Sequence, residues 1–156
     1  MSDMFPQVDP MEFVASPTQD TFGGLARFRF ALREFLRLSE AFVRSAGVTS
    51  QQYQAMLAIR ASEDQELSIK RLAFGMSIKQ NGAVQLVDRL ETQGLVRRRS
   101  CPSDRRSVLV SLTEPGDRLV VSLAEKHARE LLRGRTFMVS SLLSLGELTV
   151  SSEEVS

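Results

Sequence analysis

The sequence predicts a mainly helical fold of the α+β class, in which a helix-turn-helix is followed by a β-hairpin wing. Two helical patterns at residues 70–75 and 80–93 are joined by a short turn, and the second ends at Gly94. Two alternating segments at residues 95–101 and 107–112 then flank a basic turn, which is typical of a β-hairpin. Further amphipathic helices are predicted on both sides of this winged helix-turn-helix.

Length and composition indicate a cytoplasmic binding protein. With 156 residues, 42% hydrophobic and 25% charged, the chain can bury a core as one domain or two small ones. No basic residue precedes Arg27, and the most apolar stretch, residues 137–148, is too short for a bilayer, so we expect no secretory signal and no membrane partner. The single cysteine and single histidine exclude an internal disulfide and a Cys/His zinc site within one chain. No catalytic constellation stands out, so we expect neither an enzyme nor a cofactor.

The chain begins with an acidic arm and a long helix. Residues 1–20 carry four acidic residues, three prolines and no basic residue, which predicts a flexible arm. Residues 21–47 show an apolar stripe at spacings of three and four and end at Gly47, which predicts a helix. The pattern leaves two alternatives open: a helix buried in the core, or a helix that packs against a second chain. The stripe consists of Leu25, Phe28, Leu32, Phe35, Leu36, Phe42 and Val43.

Residues 48–113 hold the helix-turn-helix and the wing. Thr49 and Gln52 predict a capping box at the start of a helix over residues 50–61. A brief strand is predicted at residues 67–69. The expected core residues are Tyr53, Met56, Leu57 and Ile59 on the first of these helices, and Ala83, Leu86, Val87 and Leu90 on the helix over residues 80–93.

The C-terminal part, residues 114–148, is predicted to form two helices. Thr113 caps the first, which tolerates Pro115 in its opening turn. Gly134 is expected to break this helix, so that residues 137–145 form a second, shorter one. Residues 149–156 are predicted to be a polar tail.

Positive charge is concentrated around the helix-turn-helix. Residues 67–106 contain nine basic and three acidic residues, whereas the whole chain has a net charge of only +1. A charge cluster alone is as well explained by a solvated surface. Combined with the helix-turn-helix pattern, it is the electrostatic pattern of a nucleic-acid-binding module, and we expect double-stranded DNA as the partner.

The run LVDRLETQGLVRRRSCPSDRRSVLVSLTEPGDRL resembles the multiple antibiotic resistance regulator (MarR) family of bacterial transcription factors. Its distinguishing piece is Asp104-Arg105-Arg106, followed by an alternating strand and Leu112-Thr113. The resemblance covers residues 25–132. It implies a homodimer in which the N- and C-terminal helices interlock and carry two winged helices onto a palindromic operator. It also implies a transcriptional regulator, in most cases a repressor, and many members bind small aromatic effectors.

The helix over residues 80–93 is the expected recognition helix. Side-chain amides can pair with adenine, and valine can contact the methyl group of thymine. A capping role is the alternative for Gln80 and Asn81. The sequence departs from the family here, because many members begin this helix with Ser or Thr. The expected DNA-contacting residues are Lys79, Gln80, Asn81, Val84 and Gln85.

The wing is the second expected contact with DNA. Neighbouring residues of a strand face opposite sides, so Arg97, Arg98 and Arg99 cannot all face DNA. The resemblance implies that Arg106 enters the minor groove, where A·T tracts concentrate negative potential, and that Asp104 orients it. The expected wing residues are Arg97, Arg99, Asp104, Arg105 and Arg106.

For the first helix, the resemblance favours packing against a second chain in a dimer over burial in the core. The residues expected at the dimer interface are Leu25, Phe28, Leu32, Leu123, His127, Leu131, Phe137 and Leu142. A binding site for an aromatic effector could be lined by Phe28, Phe35, Tyr53 and His127. Ordinary core packing is the alternative for these residues.

The sequence leaves two other functions open. Cys101 follows three arginines that could lower the pKa of its thiol, so a redox-responsive regulator is weighed against an inert thiol. A winged helix can also bind a protein instead of DNA.

Overall fold

The computed structural model describes residues 17–104 and 106–145. Residues 1–16 of the predicted arm, Arg105 and the predicted tail lie outside the described residues. None of the helices within the described ranges is long and apolar enough to cross a membrane. The elements are α1 (Gln19–Ser45), α2 (Ser50–Ala61), β1 (Glu66–Ser68), α3 (Ile69–Gly75), α4 (Gln80–Thr92), β2 (Val96–Ser100), β3 (Val108–Leu112) and α5 (Glu114–Leu143).

The chain divides into two compact units. The winged unit comprises the described residues between 39 and 127, and the helical unit comprises residues 17–38 and 128–145. Both long helices, α1 and α5, cross the division. The winged unit therefore contains the last turns of α1 and the first half of α5 in addition to the predicted helix-turn-helix and wing.

The core of the winged unit lies between α2, α4 and a small sheet. The three strands are antiparallel in the order β1-β3-β2, and Val110 of β3 pairs with Leu67 of β1 and Arg98 of β2. One prediction for this core was wrong: Leu57 is 39% exposed, whereas Ala55 is fully buried. The largest buried side chains are Met56, Ile59, Leu67, Leu72, Leu90, Leu123, Val43, Val87, Val110 and Val120.

The predicted capping box and the predicted helix ends at Gly47 and Gly94 are confirmed. The Thr49 side chain accepts a hydrogen bond from the Gln52 amide at 3.2 Å, and the Gln52 side chain accepts one from the Thr49 amide at 2.9 Å. Gly47 and Gly94 have φ angles of +76° and +70° after α1 and α4. Glycine adopts this left-handed conformation without the steric cost that other residues incur, so it stops both helices.

The prediction of two C-terminal helices was wrong. Helix α5 is continuous for 30 residues and passes through Gly134, so residues 137–143 are its last turns. A single glycine in a helix costs only about 1 kcal/mol relative to alanine. Good helix formers on both sides of Gly134 outweigh that cost.

In the helical unit, the first turns of α1 pack closely on the end of α5. A Cβ atom on Gly24 would lie 3.0 Å from the Ser141 carbonyl oxygen, and Ser141 is fully buried. The Arg27 guanidinium donates to the Ser144 hydroxyl at 2.6 Å. The rings of Phe30 and Phe137 meet edge to face with centroids 6.3 Å apart. Small residues thus allow the two helices to approach at one point, and aromatic rings fill the wider space beside it.

Candidate nucleic-acid interface

Helix α4 separates an apolar face from a polar one. Ala83, Leu86, Val87 and Leu90 are buried, as predicted. Gln80, Asn81 and Gln85 are exposed, and Val84 is half-buried. Within the described ranges, the side chains of these three amides make no hydrogen bond, so the capping alternative for Gln80 and Asn81 is not observed. The amides are available to groups outside the chain.

The turn before α4 presents Lys79 at the start of that helix. Ser77 adopts a left-handed φ of +53°, and the Ile78 amide donates back to the Ala73 carbonyl oxygen at 3.0 Å. Lys79 is the N-cap residue of α4, is exposed, and makes no side-chain capping bond. Its ammonium group and the first amides of α4 therefore provide positive potential beside Gln80 and Asn81.

The wing is ordered by hydrogen bonds to the backbone around Asp104. The Arg106 amide donates to the Asp104 carboxylate at 3.0 Å, and the Ser107 amide donates to the Asp104 carbonyl oxygen at 2.9 Å. The Cys101 amide donates to the Ser107 carbonyl oxygen at 2.9 Å, which closes the hairpin. Asp104 thus holds the backbone of Arg106, where we expected it to hold the side chain. The Arg106 side chain is exposed and makes no ion pair with any described residue.

The structure separates the three consecutive arginines of β2. Arg98 faces α4, where it pairs with Asp88 at 2.6 Å. Strand alternation places Arg97 and Arg99 on the opposite face of the sheet, where Arg97 donates to Ser111 at 3.2 Å and Arg99 forms an ion pair with Glu66. The structure therefore does not bring Arg97 and Arg99 to the α4 side, and their contact with DNA stays a prediction.

The Arg99–Glu66 pair also affects the ionisation of the glutamate. The hydrogen bond from Arg99 lowers the pKa of the Glu66 carboxyl below its usual value. The same carboxylate accepts a bond from the Arg99 Nε at 2.8 Å. This bidentate contact ties β2 to β1 across the sheet, so Arg99 has a structural role within the winged unit.

Cys101 lies half-exposed at the base of the wing. A hydrogen bond with the Ser103 hydroxyl, at 3.2 Å from the sulfur, lowers the pKa of the Cys101 thiol. The direction agrees with the prediction. The largest cause differs from the predicted one, because it is the hydrogen bond with Ser103 and not the charge of the preceding arginines.

Comparison with known proteins shows that part of the chain is similar to one family. Residues 46–107, which span α2 to the tip of the wing, match the sequence model of the MarR family.

Two solved structures and one sequence relative show how far the similarity extends. The organic hydroperoxide resistance transcriptional regulator of Bacillus subtilis (strain 168) is 31% identical over 84 residues, which are 54% of this chain and 56% of that protein. This chain therefore covers little more than half of the relative's length. AbsC, a MarR family transcriptional regulator from Streptomyces coelicolor, is 22% identical with a TM-score of 0.65, over 81% of this chain and 83% of AbsC. A mutant MarR from E. coli, complexed with operator DNA, is 20% identical with a TM-score of 0.58, over 82% of this chain and 99% of that one. The two structures establish a shared fold.

The expected effector-lining residues fall into both units. Tyr53 and His127 stack in the winged unit with ring centroids 4.5 Å apart, and His127 is buried. The His127 Nδ1 lies 2.6 Å from the Leu123 carbonyl oxygen and its Nε2 lies 2.7 Å from the Ser39 hydroxyl. Burial raises the pKa of the Tyr53 phenol. These contacts describe a packed aromatic cluster, which is the core alternative for Tyr53 and His127.

The helical unit contains an apolar cleft. It has a volume of about 300 Å³ and is lined by Phe30, Phe35, Leu38, Arg133, Phe137 and Met138 among others. Phe35 was expected to line an effector site and does line this cleft. Phe28, which was expected to line the same site, does not.

Gly82 offers a test of how α4 is built. A Cβ atom on this exposed glycine would meet only the Ile78 Cδ1, at 4.0 Å, so nothing in the chain requires glycine there. We expect Gly82→Ala to raise stability by about 0.5–1 kcal/mol, because alanine loses less backbone entropy in a helix. In a chain of this size the midpoint of thermal unfolding should rise by roughly 1–4 °C. A lower midpoint, measured by circular dichroism, would contradict the exposed position of Gly82.

Proposed function

We propose that this chain is a sequence-specific DNA-binding transcriptional regulator that acts as a homodimer on a palindromic operator. The observation that carries the proposal is the exposed, unbonded set of amides on α4 beside a basic wing. Gln80, Asn81 and Gln85 have the donor and acceptor groups that read base edges, and no described group of the chain uses them. The relative from Bacillus subtilis is itself a transcriptional regulator, and the E. coli structure contains operator DNA.

Electrostatics support the same partner. The nine basic residues of segment 67–106 exceed its acidic residues by six, and the ion pairs of Arg98 and Arg99 use only two of the nine. Lys79 and Arg106 remain exposed at the start of α4 and on the wing. Each can contact a phosphate and release a condensed counterion, so DNA affinity should fall steeply as salt is raised.

The exposed apolar surface supports the homodimer. Eleven of the fifteen exposed large apolar side chains lie in the helical unit, which is less than a third of the described chain. Such a concentration is typical of a surface that another chain covers. Leu123 and His127 are only 1% and 6% exposed, so neither presents a surface and both leave the proposed interface. The remaining expected residues are Leu25, Phe28, Leu32, Leu131, Phe137 and Leu142.

Selection of bound sequences from random double-stranded DNA tests the proposal. We expect an enriched palindrome whose half-sites are about one helical turn apart, because a two-fold dimer places two recognition helices in successive major grooves. Light scattering on the same preparation should give the mass of a dimer. Recovery of no enriched sequence, together with salt-insensitive binding to an acidic protein, would favour a winged helix that binds protein.

The regulation proposed for this dimer is repression that a small aromatic ligand relieves. The cleft of the helical unit supports it, since Phe30, Phe35 and Phe137 provide aromatic walls. Its charged groups are Glu34 and the ion pair of Arg133 with Glu130 at 3.0 Å. Salicylate is a suitable probe. It should weaken operator binding by the wild type and not by a Phe35→Ala variant. Equal weakening of both proteins would place the ligand elsewhere.

Redox control through Cys101 is a second candidate, favoured by the lowered pKa of its half-exposed thiol. Peroxide would oxidise the thiolate to a sulfenic acid next to the wing. Operator binding by the wild type should then fall after peroxide treatment, and binding by Cys101→Ser should not. Unaltered wild-type binding would end this candidate.

A further inference from the structure

Arg98 is the member of the arginine run that faces the recognition helix, and its contacts suggest a role that does not involve touching DNA. We propose that Arg98 is a positioning residue that ties α4 to the wing strand β2, so that the exposed amides and the wing meet DNA in one fixed geometry. The inference rests on the proposed function and assigns a specificity-determining role to a residue outside the contact surface.

The guanidinium of Arg98 makes three contacts with α4. The Nη2 atom lies 2.6 Å from the Asp88 carboxylate and 3.2 Å from the Val84 carbonyl oxygen, and Nη1 lies 3.2 Å from the Glu91 carboxylate. The three acceptors lie four and three residues apart, so they form one stripe along two turns of α4. Arg98 thereby holds the helix at two successive turns, which limits both its rotation and its sliding against β2.

The stripe is next to the residues that would read bases. Val84 follows Asn81 by three residues, and Asp88 follows Gln85 by three, so each of these acceptors neighbours one of the amides on the surface of α4. A rotation of α4 by a few tens of degrees would therefore move Gln85 and Asn81 away from a base edge. The wing tip begins at the end of the same strand that carries Arg98. The tie thus links the two proposed DNA contacts directly.

The Arg98 side chain is 26% exposed, less than the 52% and 42% of the Asp88 and Glu91 side chains. Its planar fork fits carboxylates and a carbonyl oxygen at once, whereas the ammonium of a lysine is a point charge that cannot span all three. Geometry, more than charge, is therefore the property that Arg98 contributes.

The test compares a duplex carrying the selected palindrome with a random-sequence duplex of the same length. Fluorescence anisotropy gives the affinity for each, and their ratio is the specificity. We expect Arg98→Gln to lower the specificity ratio at least about tenfold, because α4 loses its fixed position. The slope of affinity against salt should stay unchanged, since Arg98 contacts no phosphate. Arg44→Gln removes one charge from α1 and is the matched control, with an unchanged ratio.

A lower salt slope, with both affinities falling together, would show that Arg98 contacts phosphate and would overturn the proposal. An unchanged specificity ratio would overturn it as well. To separate loss of the tie from loss of the fold, Arg98→Lys provides a second variant, which is expected to keep the thermal midpoint and still lose specificity. A lysine variant with full specificity would show that charge alone suffices.

A double-mutant cycle with Asp88→Asn isolates the contact itself. Asp88→Asn should lower the specificity ratio, and the double variant should be no worse than Arg98→Gln alone. Additive losses, or an Asp88→Asn protein with full specificity, would contradict the tie. If the wild type itself showed no preference for any duplex, the proposed function would fail. A wild type that prefers its palindrome, with an equally specific Arg98→Gln, would refute only the role of Arg98.

Discussion

Arg106→Ala is expected to weaken operator binding by about 30-fold or more. The Arg106 side chain is exposed on the wing and pairs with no described residue, so it is available to the minor groove. Loss of one such arginine costs about 1–3 kcal/mol. A two-fold dimer loses two such arginines, so the binding free energy should weaken by roughly 2–6 kcal/mol in total. The lower limit corresponds to the loss of affinity of about 30-fold. Fluorescence anisotropy with the selected palindrome measures the change.

The control for Arg106→Ala is Arg44→Ala, which removes the same charge from the last turn of α1. Among the described residues Arg44 pairs only with Glu40 on the same helix, and it lies outside the proposed DNA contacts. The control should bind within about threefold of the wild type, and both variants should remain dimers by light scattering. Full operator affinity in Arg106→Ala would show that the wing does not contribute to binding. Equal losses of affinity in both variants would show that Arg106 acts only through the net charge of the protein.

Gly116→Ala is expected to give the largest loss of stability. Gly116 lies in the first turn of α5, and a Cβ atom there would lie 1.9 Å from the Leu95 carbonyl oxygen and 2.9 Å from its carbonyl carbon. Both are backbone atoms, so no side chain can rotate away. Overpacking of this kind costs about 1–3 kcal/mol or more. The thermal midpoint should fall by roughly 2–12 °C in a chain of this size.

The junction around Gly116 explains why relaxation is difficult. The Leu95 carbonyl oxygen also accepts the Thr113 amide at 3.0 Å, and the Thr113 hydroxyl donates to the Gly94 carbonyl oxygen at 2.6 Å. A shift of α5 would stretch these bonds between the end of α4 and the start of α5. Gly82→Ala is the matched comparison, because the same substitution there should raise the midpoint. A midpoint unchanged by Gly116→Ala would show that the close approach is absent in solution.

Local chemistry was enough to predict much of the winged unit. The Thr49–Gln52 capping box and the left-handed glycines at 47 and 94 are governed by a few neighbouring residues, so their positions could be read directly. The apolar spacing on α4 predicted its buried face for the same reason, since the helical period places residues three and four apart together.

Predictions failed where distant parts of the chain decide the outcome. Leu57 has the hydrophobicity of a core residue, but its side of α2 meets little of the unit, and the smaller Ala55 is buried instead. Gly134 resembles a helix end, yet α5 continues through it. The importance of Gly116 was missed altogether, because its close neighbour is the backbone of Leu95 and no local pattern signals that contact.

By itself, the sequence determined the order of the helices and strands of the winged unit and which face of α4 is apolar, because both depend on periodicity and on short motifs. Only the tertiary structure decided what each arginine of β2 does. Strand alternation requires that Arg98 and its two neighbours face opposite sides, but it does not say which side meets α4. That choice depends on how the sheet packs on the core, which buries Val96 and Val110 and so turns Arg98 towards Asp88 and Glu91. Arg97 and Arg99 then face Ser111 and Glu66.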